Sequence, residues 1–546
     1  MLSNSLLNNP LSSNSEFFVE NSLQFENETM NLEHIPSQLL QGNFGILKLT
    51  AISAPMSQEQ HEFIFMVDRS GSMSDMCSDG REKIQHILHT LKNMIIYFKD
   101  NKNANVHVNI FAFDDIIEEI VARTVINEEN IDTIIAKINK ITPIASTDIE
   151  KALISIKTTI DKIRLENPTH NICNIFMTDG EATSGNCNYN YLSSLIDSQI
   201  TNAFIGFGIE HDVVLLNSFA KNNKSSYYFI DKLENSGIVY GEILHGILYK
   251  ILSDISIETT NCLIYDYKNN VWCNSLKVED IVSESNKVYH IISSTPNDCK
   301  VLLKAQAKAG ENITHYEFTS IFNSNLSPDL SKNVFRQRTL QLLYKINKFI
   351  EKKNYKTPYL SRFAGFENNT GNTQFYMMSE QNKLKTEMKT FMNEMKKYMA
   401  DNNLNNDGFM KNLCDDIYIS YRTFDTKFGE MYNTARQTSQ GNQRYYTVTH
   451  TPEETFRAPK PRHNLLTRQT NSPATLNLYD NRSSSSVDDL DDLDDSMNHV
   501  LSNFEDSPYL TPGATQVMME ISNDTNCDLF AQSKNNNSCD TELEDI

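Results

Sequence analysis

The amino-acid sequence predicts an α/β protein built around an open, mostly parallel sheet with helices on both faces. A small antiparallel β module, a C-terminal helical region and disordered termini complete it. Three observations carry this reading. From 61 to 255, short apolar runs of strand length alternate with helical patterns. Beyond 255 the pattern changes to successive strands divided by Asn, Ser and Pro turns. Only 39 % of the 546 residues are hydrophobic, a low share for a chain folded throughout.

Residues 1–40 are polar and rich in Asn and Ser, the composition of a disordered segment. "FGILKLTAIS" (44–53) has the alternation of a strand, and Pro55 ends it. Its length matches the strands of the later β module, so it is expected to pair there, leaving the α/β domain as an insertion between two parts of that module. "HEFIFMV" (61–67) is a continuous apolar run, as in a strand covered on both faces. In 81–98, Ile84, Ile87, Leu88, Leu91, Met94 and Ile95 recur at helical spacing. "NVHVNIFAF" (105–113) is a strand, and "IIEEIVART" (116–124) follows so closely that it is its antiparallel hairpin partner. The turn between them, Asp114–Asp115, reads as exposed. Helices at 128–140 and 148–165 precede a second buried run, "NICNIFMTDG" (171–180). Strands at 202–208 and 225–230 each follow a helix, and 241–255 reads as a long final helix.

Residues 256–325 form the antiparallel β module and 328–433 the helical region. Within the latter, Leu384, Met388, Met392, Met395 and Met399 make a stripe that suits core packing. From 434 to 546 acidic residues outnumber basic ones among Ser, Asn, Pro and Thr, so a disordered acidic tail is expected. Its centre carries Asp488, Asp489, Asp491, Asp492, Asp494 and Asp495, carboxylates that could compete for a cation elsewhere in the chain.

The formal net charge of −21 argues against a nucleic-acid backbone as partner. Nine cysteines lie scattered with no Cys-x-x-Cys pair, which excludes a zinc ribbon or RING and suits a reducing compartment. The N-terminus has no basic segment followed by an apolar core, and no run approaches roughly eighteen apolar residues. A soluble, cytoplasmic protein is therefore expected. The frequent Asn, Ile and Lys suggest AT-rich coding, of the kind found in some large DNA viruses and amoebae.

Ligands of open α/β sheets gather where strands end and loops diverge. The first buried run ends in Asp68, followed by Ser70 and Ser72. The second ends in Asp179, and "ITPIASTDIEKAL" (141–153) brings Thr147 to a loop before a helix. Asp68 or Ser70 alone would serve as a helix cap. Two carboxylates and three hydroxyls from three loops instead make a hard ligand set, suited to Mg2+ or Mn2+ and poorly to copper or zinc.

"DRSGSMS" with Thr147 and Asp179 downstream resembles the metal-ion-dependent adhesion site of von Willebrand factor A domains, which have a Rossmann-like fold; the resemblance spans 61–255. It implies that Ser70, Ser72 and Thr147 contact the metal directly, with Asp68 and Asp179 bound directly or through water. It also implies a non-catalytic scaffold that captures an Asp or Glu of a protein partner. The order of strand, α/β domain, β module and helices resembles intracellular proteins of this family, some with an added RING that this chain lacks. Two other functions stay open. A metal-dependent hydrolase with Asp68 as nucleophile would need a second acid two residues on, where Ser70 stands. An assembly protein would act through the acidic tail.

Overall fold

The computed structural model describes residues 19–25, 43–77, 80–101, 105–144, 146–230, 236–306, 313–319, 321–322, 328–360, 370–424, 426–445 and 507–522. Two strands come first, β1 (Val19–Phe25) and β2 (Asn43–Ala51). The α/β unit runs through β3 (Gln60–Asp68), α1 (Lys83–Asp100), β4 (Asn105–Phe113), β5 (Ile117–Val125), α2 (Ile131–Ile138) and α3 (Ile149–Glu166). It continues through β6 (Asn171–Thr178), α4 (Tyr189–Ser194), β7 (Thr201–Phe207), α5 (Val213–Phe219), β8 (Ser225–Ile230) and α6 (Ser236–Leu248). Its six strands form one sheet in the order β5-β4-β3-β6-β7-β8, parallel except for β5 at the edge. Alternation along β3 shows why the sheet is covered twice. Phe63, Phe65 and Val67 pack with α1, α2 and α6, while Ile64 and Met66 pack with α3 and α5.

The next strands are β9 (Lys250–Thr260), β10 (Leu263–Asp266), β11 (Val271–Cys273), β12 (Ser275–Lys277), β13 (Ile281–Val282), β14 (Asn286–Ser293), β15 (Lys300–Gln306), β16 (Thr314–Thr319) and β17 (Ile321–Phe322). They build two sheets, β11-β10-β14-β2-β1-β17 and β12-β9-β15-β16 with β13 on β9. Leu47, Leu49, Ile257, Ile264, Ile291, Val301 and Leu303 fill the space between them. Strand β2 pairs antiparallel with β14, from Asn43 opposite Ser293 to Thr50 opposite Asn286. The α/β unit thus leaves and re-enters the β module between β2 and β9.

Helices α7 (Pro328–Leu360), α8 (Thr370–Asp401), α9 (Gly408–Thr423) and α10 (Lys427–Asn442) follow. They extend the core on the α3 side of the sheet. The Leu384, Met388, Met392, Met395 and Met399 stripe is buried there.

Four boundaries differ from the expectation. Residues 19–25, expected disordered, form β1, hydrogen-bonded to β2 and β17. The helix expected over 241–255 ends at Leu248, and β9 begins at Lys250. Ile251, Leu252, Ile255 and Ile257 are buried on a strand, and from Ile255 the two-residue alternation prevails over helical spacing. The helical region does not stop at 433, since α10 runs to Asn442. Within the expected tail, α11 (Pro512–Ile521) starts with Thr511 accepting from the Ala514 N–H at 3.1 Å. Ala514, Val517, Met518 and Ile521 are buried on one side of it, a stripe that the polar average of the tail conceals. The Asp488–Asp495 run lies outside the described residues.

Helix α11 sits on α6 at two glycines. A Cβ at Gly241 would stand 2.5 Å from Met518 Cα, and one at Gly237 2.6 Å from Ser522 Oγ. The Asn93 side-chain amide also donates to the Ile521 carbonyl at 2.8 Å. Gly241→Leu is expected to lift α11 away, because overpacking at such a contact costs about 1–3 kcal/mol. Amide exchange checks this: 514–521 should lose protection while the central sheet keeps its own. Unchanged protection at 514–521 would contradict the packing argument.

Candidate metal-binding site

Strand β3 is buried along its whole apolar length, which delivers Asp68 to the carboxyl edge of the sheet with none of its surface exposed. Its Oδ1 accepts from the Ser70 N–H at 2.7 Å and its Oδ2 from the Thr178 hydroxyl at 2.6 Å. Ser72 lies in a short 3-10 turn, Gly71–Ser74, that brings its Oγ to 3.2 Å from Ser70 Oγ. The Ser72 hydroxyl then donates to Asp179 Oδ1 at 2.7 Å. Asp179 is fully buried just past the end of β6. Thr147 is held by its backbone: its N–H donates to Thr183 Oγ1, and its carbonyl accepts from the Thr183 and Ser184 N–H groups. A methyl group at Gly180 would touch both Thr147 Oγ1, at 3.6 Å, and Ser72 Oγ, at 3.8 Å. All five side chains singled out in the sequence therefore border one small space.

Arg69 ties its own loop to the β4–β5 turn and to the loop that carries Thr147. Its guanidinium pairs with Asp114 at 3.1 Å and also with Glu118. Its backbone N–H donates to the Phe113 carbonyl, and its own carbonyl accepts from the Ile144 N–H. The Asp114 carbonyl in turn accepts from the Asp148 N–H, at the start of α3. Asp114 is thus buried as the counter-charge of Arg69, contrary to the expected exposed turn, whereas Asp115 is exposed as expected.

Burial pushes the Asp68 carboxyl up to about 6; the bonds from Thr178 and Ser70 oppose this and the nearby Asp179 adds to it. The Lys83 ammonium lies 2.7 Å from Asp179 Oδ2 and 3.0 Å from Asp75. Burial works against its charge, but Asp179 and then Asp75 leave it raised. Two buried carboxylates with neighbouring hydroxyls and no imidazole or thiol suit a hard divalent cation. Sequence reasoning missed Lys83, Thr178 and Arg69. Lys83 opens the helix after the motif, and only the turn between them aims it at Asp179.

Residues 62–240 match the family model described as von Willebrand factor type A domain, and this α/β unit is such a domain. No curated protein matches the chain. Among solved structures, the chain is similar to a von Willebrand factor type A protein from Catenulispora acidiphila. The identity is 12 %, the TM-score 0.45, and 63 % of this chain and 84 % of that one are covered. The ArnB paralog VWA2 from Sulfolobus acidocaldarius is 13 % identical with a TM-score of 0.45, covering 78 % of this chain and 99 % of that one. Proximal thread matrix protein 1 from the mussel byssus is 19 % identical with a TM-score of 0.26, covering 34 % and 46 %.

Proposed function

We propose that the chain is a non-catalytic, divalent-cation-dependent protein-binding scaffold. The observation that carries this is the convergence of Asp68, Ser70, Ser72, Thr147 and Asp179 from three loops on one space at the carboxyl edge of the sheet. Ser70, Ser72 and Thr147 would hold Mg2+ or Mn2+, with Asp68 and Asp179 bound directly or through water. When bound, the cation supplies positive charge and an exchangeable position suited to an Asp or Glu of a protein partner. Thr178 and the Ser70 N–H fix both oxygens of Asp68, so the carboxylate is oriented before any ligand arrives. Lys83 offsets the charge of Asp179 in the metal-free chain.

The hydrolase reading gains a lysine beside the site but not the second acid, since position 70 is Ser. We also propose a cytoplasmic location, with no nucleic-acid partner. Among the described residues no helix is long and apolar enough to cross a membrane.

The test is a melting curve of the full chain after chelation, with and without millimolar Mg2+. A ligand at a hundred times its Kd adds about 2.7 kcal/mol of stability. A rise of several degrees is expected in the wild type, and none in Ser72→Ala or Asp179→Asn. Pull-downs with Mg2+ and with EDTA then compare wild type and Asp179→Asn. A partner held equally in all four conditions would refute the metal-dependent reading.

A further inference from the structure

The opposite end of the same sheet carries a second group of metal-ligand side chains. Glu62, near the start of β3, is fully buried and faces His107 of β4 directly across the strand pair. His170 stands immediately before β6, where its N–H donates to the Asn167 carbonyl at the end of α3. Glu62 Oε1 lies 2.8 Å from His170 Nδ1 and 3.7 Å from His107 Nδ1. One donor atom from each residue lies within 4.8 Å of the other two. The two imidazole centroids are 5.7 Å apart.

Charge pairing alone does not account for this arrangement. Arg123, on β5, already pairs with Glu62: its Nε lies 3.0 and 3.1 Å from the two carboxylate oxygens, and its Nη2 lies 2.5 Å from Oε1. His170 can donate one further hydrogen bond. His107 Nδ1 is then left buried without a hydrogen-bond partner among the described residues, 3.7 Å from the same oxygen.

We propose that Glu62, His107 and His170 form a second divalent-metal site, of the class that takes Zn2+, at the end of the sheet opposite Asp68. Two imidazoles, which are borderline donors, together with one carboxylate suit zinc and disfavour Mg2+. With bonds of about 2.0 Å, donors around a tetrahedral zinc stand about 3.3 Å apart, within the range seen here. Three protein ligands leave a fourth position open to water. The two histidine side chains are 17 % and 14 % exposed, which leaves a path to solvent. Arg123 is the positioning residue, orienting Glu62 as outer partners of metal ligands do. A metal here would clasp the starts of β3, β4 and β6.

Full-length chain stripped with chelator tests this, using Zn2+ and Co2+ alone as probes. The expected result is one tight equivalent of Zn2+ with a raised melting temperature. Co2+ should give the strong visible absorption of a four-coordinate nitrogen-containing site. Both signals should persist in Asp179→Asn and vanish in His107→Gln/His170→Gln. The site proposed for Mg2+ can therefore fail without touching this result. Arg123→Gln is expected to keep the Co2+ spectrum while lowering Zn2+ affinity about ten- to a hundredfold. Should the double variant not fold, the X-ray absorption fine structure of the zinc-loaded wild type decides, two imidazoles being the expected count. Equal zinc binding in wild type and a folded double variant, or no imidazole at the zinc, overturns the proposal. So does a melting temperature that does not respond to Zn2+.

Discussion

Acidifying the metal-free chain from pH 7 to about 4.5 is expected to cost a net 5 kcal/mol of stability, on the order of the whole stability of a typical domain. Four buried histidines drive this. Burial pushes His61 and His290 down to about 3, assisted by Lys250 and His170 at His61 and by Arg336 at His290. Burial likewise lowers His211 and His245 to about 4. The unfolded chain takes up these protons near pH 6.5, whereas the folded chain refuses them until far lower. Stability therefore falls as pH drops below 6.5, by about 1.4 kcal/mol per pH unit for each histidine, and the loss levels off near pH 3–4. Asp68 and Glu242, raised by burial to about 6 and about 7, act in the opposite sense. The folded chain binds their protons first, which returns about half of the loss.

Urea midpoints at pH 7, 5.5 and 4.5 measure this effect. His61 gives the cleanest variant, because neither ring nitrogen has a hydrogen-bond partner among the described residues and the ring packs beside Phe63. His61→Phe should flatten the acid branch by about 1.4 kcal/mol per pH unit with an unchanged denaturant slope. A wild type equally stable at pH 7 and 4.5 would contradict the argument.

The central sheet was legible because its inner strands β3 and β6 are buried on both faces, so each reads as an apolar run bounded by polar residues. The same feature exposed the metal-binding candidates. Where such a run stops at Asp68 or Asp179, the polar residue has to sit at the sheet edge. What stayed hidden depends on register. Glu62, His107 and His170 lie far apart in sequence, and only the pairing of β3 with β4 and β6 brings them together. Arg69 reads as one bulky residue within a small-residue motif, and nothing local shows that its partner is Asp114. The α6–β9 junction failed for another reason. "GEILHGILYKILSDI" satisfies both periods, and the packing of Ile255 and Ile257 against the sheet that contains β2 and β14 decides between them.

The second half of α10 is the strongest case of buried structure within a stretch of polar composition, and it supplies the other large expected effect. Arg436 lies beyond the boundary at which disorder was expected, yet its side chain is 2 % exposed. Its Nε bonds the buried Asp416 of α9, and its Nη2 donates to Asn412 at 2.9 Å. Gln440 donates to the other oxygen of Asp416 at 2.6 Å and accepts from the Tyr509 hydroxyl at 2.8 Å. The network thus joins α9, α10 and the segment leading into α11. Burial raises the Asp416 carboxyl despite the opposing guanidinium, so the carboxylate depends on Arg436 for its charge to be tolerated. Arg436→Ala leaves a buried charge without its counter-ion, which costs about 3–5 kcal/mol. Asp416→Asn in the same chain removes that charge, so the double variant should recover part of the loss. A double-mutant cycle in urea reads the coupling directly. If the two losses simply add, the pair makes no energetic contact, and α10 is held by its apolar residues alone.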